Sequence, residues 1–271
     1  AGASLMDGVS LDYAASFAQN IPMTFSLFGG TDISYFSGYD AEDVIVGGEV
    51  SGKFFNSLNA GFSYIQRWGG GELSNELLGV ELDYKHKDFL DLYSELQYDW
   101  LSDSTSYFLV GANYRHDENW RLRTEYLYSL PVFSSASIYS VFAVSEYEEL
   151  MAELSYRIAT GLRSFGRLTY EIYPEFENAI VMEAGIEKIR TDRFSGYLSG
   201  VARVDDDGQD MSGVKVRGLY MINKMFSAGA GAEIDVLQRR LEDDSDDTLS
   251  SRYWVDMTAS ITKTVSAEAK V

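Results

Sequence analysis

Leu78-Gly79-Val80-Glu81-Leu82-Asp83-Tyr84-Lys85 places Leu78, Val80, Leu82 and Tyr84 on one side of an extended segment and Glu81, Asp83 and Lys85 on the other. Successive side chains of a strand point to opposite faces, so this segment has one apolar and one charged face. From about residue 22 to the C-terminus, strand-length runs of the same kind follow one another. A soluble sandwich alternates too, but its apolar faces pack together. Here the charged side carries Glu, Asp and Arg in nearly every run, and the apolar side is edged by Tyr and Trp. That combination is expected of an antiparallel barrel with lipid outside and water inside.

The composition agrees. The chain has 271 residues, no Cys, three Pro, 24 Gly, 19 Tyr, 15 Phe and a net charge of −20. No stretch approaches the ~18–20 apolar residues of a membrane-spanning helix. The mean hydropathy of −0.16 does not count against a barrel, whose strands are half polar. Without Cys there are no disulfides, zinc–thiolate sites, covalent c-type haem attachments or lipidated cysteine. No signal peptide is visible, and Ala1 reads as a mature N-terminus or as the first residue of the piece in hand. The acidic balance disfavours nucleic acid as a partner. It suits cations, or divalent ions bridging to anionic lipid head groups.

Tight connections divide the runs. Phe55-Asn56-Ser57, His86-Lys87-Asp88, His116-Asp117-Glu118-Asn119, Thr160-Gly161-Leu162, Thr191-Asp192-Arg193, Asn223-Lys224 and Thr262-Lys263 alternate with longer polar connections at 69–75, 205–210 and 242–247. Crossings of a barrel alternate in direction, so two successive tight turns must enclose an even number of strands. The interval from Asn119 to Thr160 holds three runs, near 119–130, 136–146 and 149–159. Parity is restored if Ile138–Val144 does not cross, and is instead a strand extension or a loop folded into the lumen. The run 264–271 leaves a tight turn, so a further closing strand is expected beyond Val271. Counting from 22–36 gives 16 strands in a single domain spanning 1–271. If 8–18 within the N-terminal segment 1–21 also crosses, the count is 18.

The inward set contains Glu81, Asp83, Asp91, Glu95 and Asp99, then Arg115, Arg121, Arg123, Arg157, Arg163 and Arg167. Glu183 and Glu187 follow, then Arg203, Lys215 and Arg217, then Glu233 and Asp235. An arginine wall facing an acidic wall would set up a transverse field that orients polar solutes and excludes apolar ones. The other reading is that opposite charges on adjacent strands pair and fill the lumen. The outward set includes Phe62, Leu92, Val110, Leu154, Ile186, Val216 and Val255, with Trp68, Trp100, Trp120 and Tyr84 toward run ends, where interfacial aromatics sit. The Ala/Gly run Ser227–Ala232 marks tight curvature or a protein contact. Asp205, Asp206, Asp207, Asp243, Asp244 and Asp246 are weak candidates for Ca²⁺ or Mg²⁺, but neither acidic segment fits a calcium-loop pattern and solvated charge is the simpler reading. No other cofactor is implied. The only histidines, His86 and His116, sit at tight turns, and no Ser occupies a nucleophile-elbow context, so no enzyme activity is expected.

Alternating runs, tight turns against acidic connections, aromatic run ends and a charged inner face resemble a Gram-negative outer-membrane porin. The resemblance implies an outer-membrane location with lipid and lipopolysaccharide around it, a periplasmic tight-turn rim and a homotrimer. It also implies passive diffusion of small hydrophilic solutes, with a mild cation preference from the acidic segments. Pro174-Glu175-Phe176 is similar to the constriction-loop motif of general porins but lacks its following glycines, so that role is not carried over. Tyr156-Arg157-Ile158-Ala159-Thr160-Gly161-Leu162 and Arg252-Tyr253-Trp254-Val255-Asp256 more loosely resemble the barrels of deltaproteobacterial porin–cytochrome conduits. In those, the barrel is an insulating sheath for a multihaem cytochrome partner. A structural or adhesive barrel is the third alternative.

Overall fold

The computed structural model describes residues 6–17, 21–32, 43–55, 57–130, 146–174, 177–205, 209–241, 244–260 and 266–270. These form strands throughout: β1 (Met6–Phe17), β2 (Ile21–Asp32), β3 (Val44–Phe54), β4 (Leu58–Gly69), β5 (Glu72–His86), β6 (Leu90–Asp99), β7 (Ser104–Arg115) and β8 (Trp120–Ser129). The series continues with β9 (Tyr147–Ala159), β10 (Leu162–Ile172), β11 (Ala179–Lys188), β12 (Phe194–Asp205), β13 (Gln209–Met221), β14 (Phe226–Leu241), β15 (Asp244–Ser260) and β16 (Ser266–Lys270). The chain is all-β, and sheet order follows chain order from β1 to β16. The pairings are antiparallel, as hairpin connections require. Among the described residues no pairing joins β1 to β16.

The chain forms two compact units. One comprises residues 1–113, 125–149 and 173–175, and the other 114–124, 150–172 and 176–271.

The strands differ from expectation in two places. β1 pairs with β2 along its whole length, from Met6 opposite Asp32 to Phe17 opposite Ile21. The 16 strands seen here are therefore not the expected set: they include β1 and run only to β16. Secondly, the acidic segments are mostly strand rather than loop. β12 continues to Asp205, and Asp244 to Asp247 pair with Leu241 to Gln238 of β14. Hairpin pairing satisfies the backbone groups of this polar stretch, and it overrides the weak strand preference of Asp. The expected 69–75 loop is likewise a two-residue hairpin. Gly70 and Gly71 both adopt positive φ, +60° and +78°, as a type I′ turn demands. A bulge then shifts the register between Arg67 and Trp68, with the Ser74 hydroxyl donating to the Arg67 carbonyl at 3.0 Å. As strand parity requires, β8 and β9 are direct sheet neighbours. Ile138–Val144 lies outside the described residues.

Burial is inverted relative to a water-soluble protein. Among the described residues the buried apolar side chains are Ile45, Met151 and Ala179, whereas Asn75, Asp99, Ser106, Ser155, Thr169, Ser199 and Asp256 are buried and polar. Large apolar side chains are exposed along the opposite face in each unit, among them Leu11, Leu27, Phe62, Leu92 and Val110 in one and Leu154, Leu168, Ile186, Val216 and Val255 in the other.

Candidate functional site: the charged face

Cross-strand register decides which residues share a face. In the first unit, Glu81 lies opposite Glu95, Asp83 opposite Tyr93 and Lys85 opposite Asp91. Gly61 lies opposite Glu81, Ser51 opposite Gly61 and Glu49 opposite Ser63, which brings Glu49 onto the same face. Gln97 donates to the Glu95 carboxylate at 2.9 Å, and the Tyr93 hydroxyl reaches across β7 to Glu125. Carboxylates at 49, 81, 83, 91, 95 and 125 outnumber the cations Lys53, Arg67 and Lys85 on this face. Asp99 departs from its expected role. It is buried, and it accepts the backbone N–H of Glu76 at 3.3 Å and of Leu101 at 3.0 Å. It therefore fixes the end of β6 and the following turn instead of presenting a free charge.

In the second unit the same face carries an interleaved set of ion pairs. Arg167 bridges Glu153 at 2.6 Å and Glu183 at 3.1 Å. Arg163 donates through Nε to Glu187 at 2.7 Å. Arg203 joins Glu171 at 3.1 Å and Asp205 at 2.9 Å. Lys215 pairs with Glu233 at 2.9 Å, which also faces Arg252 at 3.9 Å. Arg217 reaches Asp256 at 3.3 Å. Asp235 lies opposite Gly213 on this face.

For Arg163, Arg167 and Arg203 the arrangement is the second of the two expected, pairing of opposite charges on adjacent strands, and not an arginine wall apart from an acidic one. Of their partners, Glu183 and Glu187 belong to the expected inward set, whereas Glu153, Glu171 and Asp205 do not, and neither do Arg252 and Asp256. Glu153 and Glu171 share the odd-numbered alternation of Arg157, Arg163 and Arg167, so strict counting by twos would have found them. Asp205 is not reached that way, because an Asp-rich stretch reads as loop until its pairing is seen.

Gly229 and Gly231 lie on this face opposite Asp256 and Trp254. A Cβ at Gly231 would collide with the Trp254 indole, and one at Gly229 with the Asp256 carboxylate. The Ala/Gly run thus makes room for two side chains of β15.

Of the metal candidates, Asp206, Asp207 and Asp243 lie outside the described residues, and Asp244 and Asp246 are placed by backbone register alone. Asp205 is engaged by Arg203. Among the described residues no group of three or more His, Asp or Glu could hold a metal ion.

Arg115, Arg121, Arg157 and Arg163 lie at or within two residues of the ends of β7, β8, β9 and β10 at the tight-turn rim, and they line a cavity of about 410 Å³. The turns beside it are built by side-chain caps. Asp117 accepts the N–H groups of Asn119 at 2.7 Å and Trp120 at 2.8 Å. These bonds hold its carboxyl below the usual carboxylate range. Asp192 accepts from the Phe194 N–H at 2.8 Å and from Lys188 at 2.9 Å, with the same downward effect. Asn223 makes the equivalent bonds to Met225 at 2.7 Å and Phe226 at 2.9 Å. On the apolar face at this rim, Trp120 contacts Tyr156 with ring centroids 4.6 Å apart. His86 and His116 each meet a tyrosine two residues earlier, at 3.1 Å and 3.4 Å.

No family model matches the chain, and no curated protein matches it. Solved structures do. A bacterial polysaccharide outer membrane secretin aligns over 92% of this chain and 89% of its own, with a TM-score of 0.51 and 10% identity. OccK11 (OpdR) of Pseudomonas aeruginosa aligns over 92% and 82%, with a TM-score of 0.50 and 9% identity. The outer membrane channel DcaP of Acinetobacter baumannii covers 92% and 96%, at a TM-score of 0.49 and 8% identity. At such identities the likeness speaks for fold, and the fold is that of outer-membrane β-barrel proteins.

Proposed function

We propose that the chain is a porin-like channel of the Gram-negative outer membrane through which small hydrophilic solutes and ions diffuse passively. One observation carries this reading: in each unit the charged side chains gather on one sheet face while large apolar side chains stand exposed on the other. An apolar face of that extent is tolerated only against lipid or a partner. A face crowded with carboxylates and guanidinium groups needs water or counter-charges. Closing the sheet on its charged side satisfies both needs. The closed barrel is proposed to have 16 strands, or 18 if further strands complete it. A single domain follows from closure, and the acidic face of the first unit supports a mild cation preference. Lipid and lipopolysaccharide then surround the apolar face, and a homotrimer is the assembly to test by crosslinking.

Planar-bilayer recording of the purified protein tests this. Discrete conductance steps are expected, with a reversal potential in a salt gradient displaced toward the cation potential. A reconstituted protein that conducts at no voltage would overturn the channel reading. Co-purification of a haem-absorbing partner would replace it with a sheath.

A further inference from the structure

We propose that the cavity between the ends of β7, β8, β9 and β10 is a binding site for the oxyanion of a small solute, a carboxylate or a phosphate. The inference goes beyond the channel reading and stands whether or not the lumen conducts. Arg115, Arg121, Arg157 and Arg163 approach one cavity of about 410 Å³ from four successive strands. All four fall on the odd-numbered alternation that carries the charged face. Their positions follow from two tight turns, 116–119 and 160–161, and from the pairing of β8 with β9, where the Arg157 N–H donates to the Asn119 carbonyl at 2.9 Å.

Charge balance at this cavity differs from that of the network deeper in the strands. Arg167 and Arg203 each bridge two carboxylates. Around the cavity, Arg163 is held by Glu187, but Arg157 reaches only Glu118, at 3.9 Å and with that carboxylate 92% exposed. Arg121 has no hydrogen-bond or ion-pair partner among the described residues. The other acidic lining residue, Asp117, is occupied by the two backbone N–H groups it caps. Two guanidinium groups are thus left with donors to spare, at the edge of a cavity within the ~300–1,000 Å³ range of small-molecule sites. A guanidinium fork matches the two oxygens of a carboxylate or phosphate. Arg163, fixed by Glu187, gives the site a rigid side opposite the donors of Arg121 and Arg157.

Equilibrium binding to the full-length protein in detergent micelles, read by calorimetry, tests the site with sodium succinate and inorganic phosphate as separate probes. Saturable binding of at least one probe is expected, and comparing the two arms tells carboxylate from phosphate recognition. Arg121→Ser with Arg157→Ser should weaken binding by about tenfold or more. Arg121→Lys with Arg157→Lys should retain part of it, since charge survives and the fork is lost. Lys224→Ser, which removes one exposed charge at another tight turn, should leave binding as it is. Far-UV circular dichroism of every variant establishes that the sheet is intact. Absence of saturable binding of both probes to the unaltered protein overturns the proposal. So does a folded double-Ser variant that binds as well as the parent, or equal loss on Lys224→Ser, which would mean diffuse attraction only. Since no current is measured, failure here leaves the channel reading to its own test.

Discussion

Arg167 shows how a charge is kept on a strand face. Its guanidinium spans Glu153 on one neighbour and Glu183 on the other, with those carboxylates 16% and 21% exposed. Removing the arginine leaves two carboxylates without a cation, which costs more than loss of an exposed pair. Arg167→Gln should destabilise the protein by about 1–2 kcal/mol, below the ~3–5 kcal/mol of a broken fully buried pair, because the arginine is partly solvated. Glu153→Gln should cost less, since Arg167 keeps Glu183. Urea unfolding followed by tryptophan fluorescence checks both. Equal midpoints for the two variants would show that the bridge contributes nothing of its own.

At the level of the strand and its turn, three hairpins use one device with different chemistry. Asp117 and Asp192 cap their turns as carboxylates, and Asn223 does so as a neutral amide. A carboxyl whose pKa is depressed in the folded state stabilises fully above the ordinary carboxylate range, and that stabilisation is lost as pH falls through the folded value. Protection of the Asn119, Trp120 and Phe194 amides, corrected for intrinsic exchange, should therefore fall on acidification. Protection of Met225 and Phe226 should not. Hydrogen exchange at several acid pH values checks this, and parallel loss at all five amides would contradict it. The outward faces offer a second test on the same scale. Leu154, 48% exposed on β9, should tolerate Arg poorly. If it faces lipid near midplane, Leu154→Arg costs ~2–4 kcal/mol of folding into vesicles. A negligible cost would place that face in water.

For the molecule as a whole, the distribution of paired and unpaired charge sets the expected selectivity. Replacing Arg123, Arg157 and Arg167 with Ser removes three cations from the charged face and should shift permeability toward cations. Asp205 is no longer comparable to a screened loop charge: its side chain is only 6% exposed and tied to Arg203. Asp205→Asn should remove one of the carboxylates that hold Arg203, leaving Glu171, and shift permeability toward anions even at high salt, where truly exposed charges are screened beyond a Debye length of ~3 Å at 1 M. Reversal potentials in a salt gradient at two ionic strengths measure both. An Asp205→Asn effect that vanishes at high salt would return that residue to the solvated class.

The sequence by itself determined that the chain is all-β, where tight turns such as 86–88, 116–119 and 191–193 lie, and which face the side chains of a recognised run take, because a strand's period of two leaves no freedom once the apolar set is identified. Leu78 to Lys85, Arg163 to Arg167 and Glu183 to Glu187 were legible in that way. Partners were not legible. That Arg167 joins Glu153 and Glu183 depends on the register between β9, β10 and β11, which a period of two leaves open to shifts by an even number of residues. Nor could alternation show that Asp244 to Asp247 continue a hairpin, since Asp is disfavoured in strands and only pairing with β14 overrides that preference. The cavity at the tight-turn rim was likewise decided by tertiary structure. Its four arginines are spread over 49 positions, from Arg115 to Arg163 inclusive, and it takes two hairpin turns and the pairing of β8 with β9 to bring their strand ends to one place.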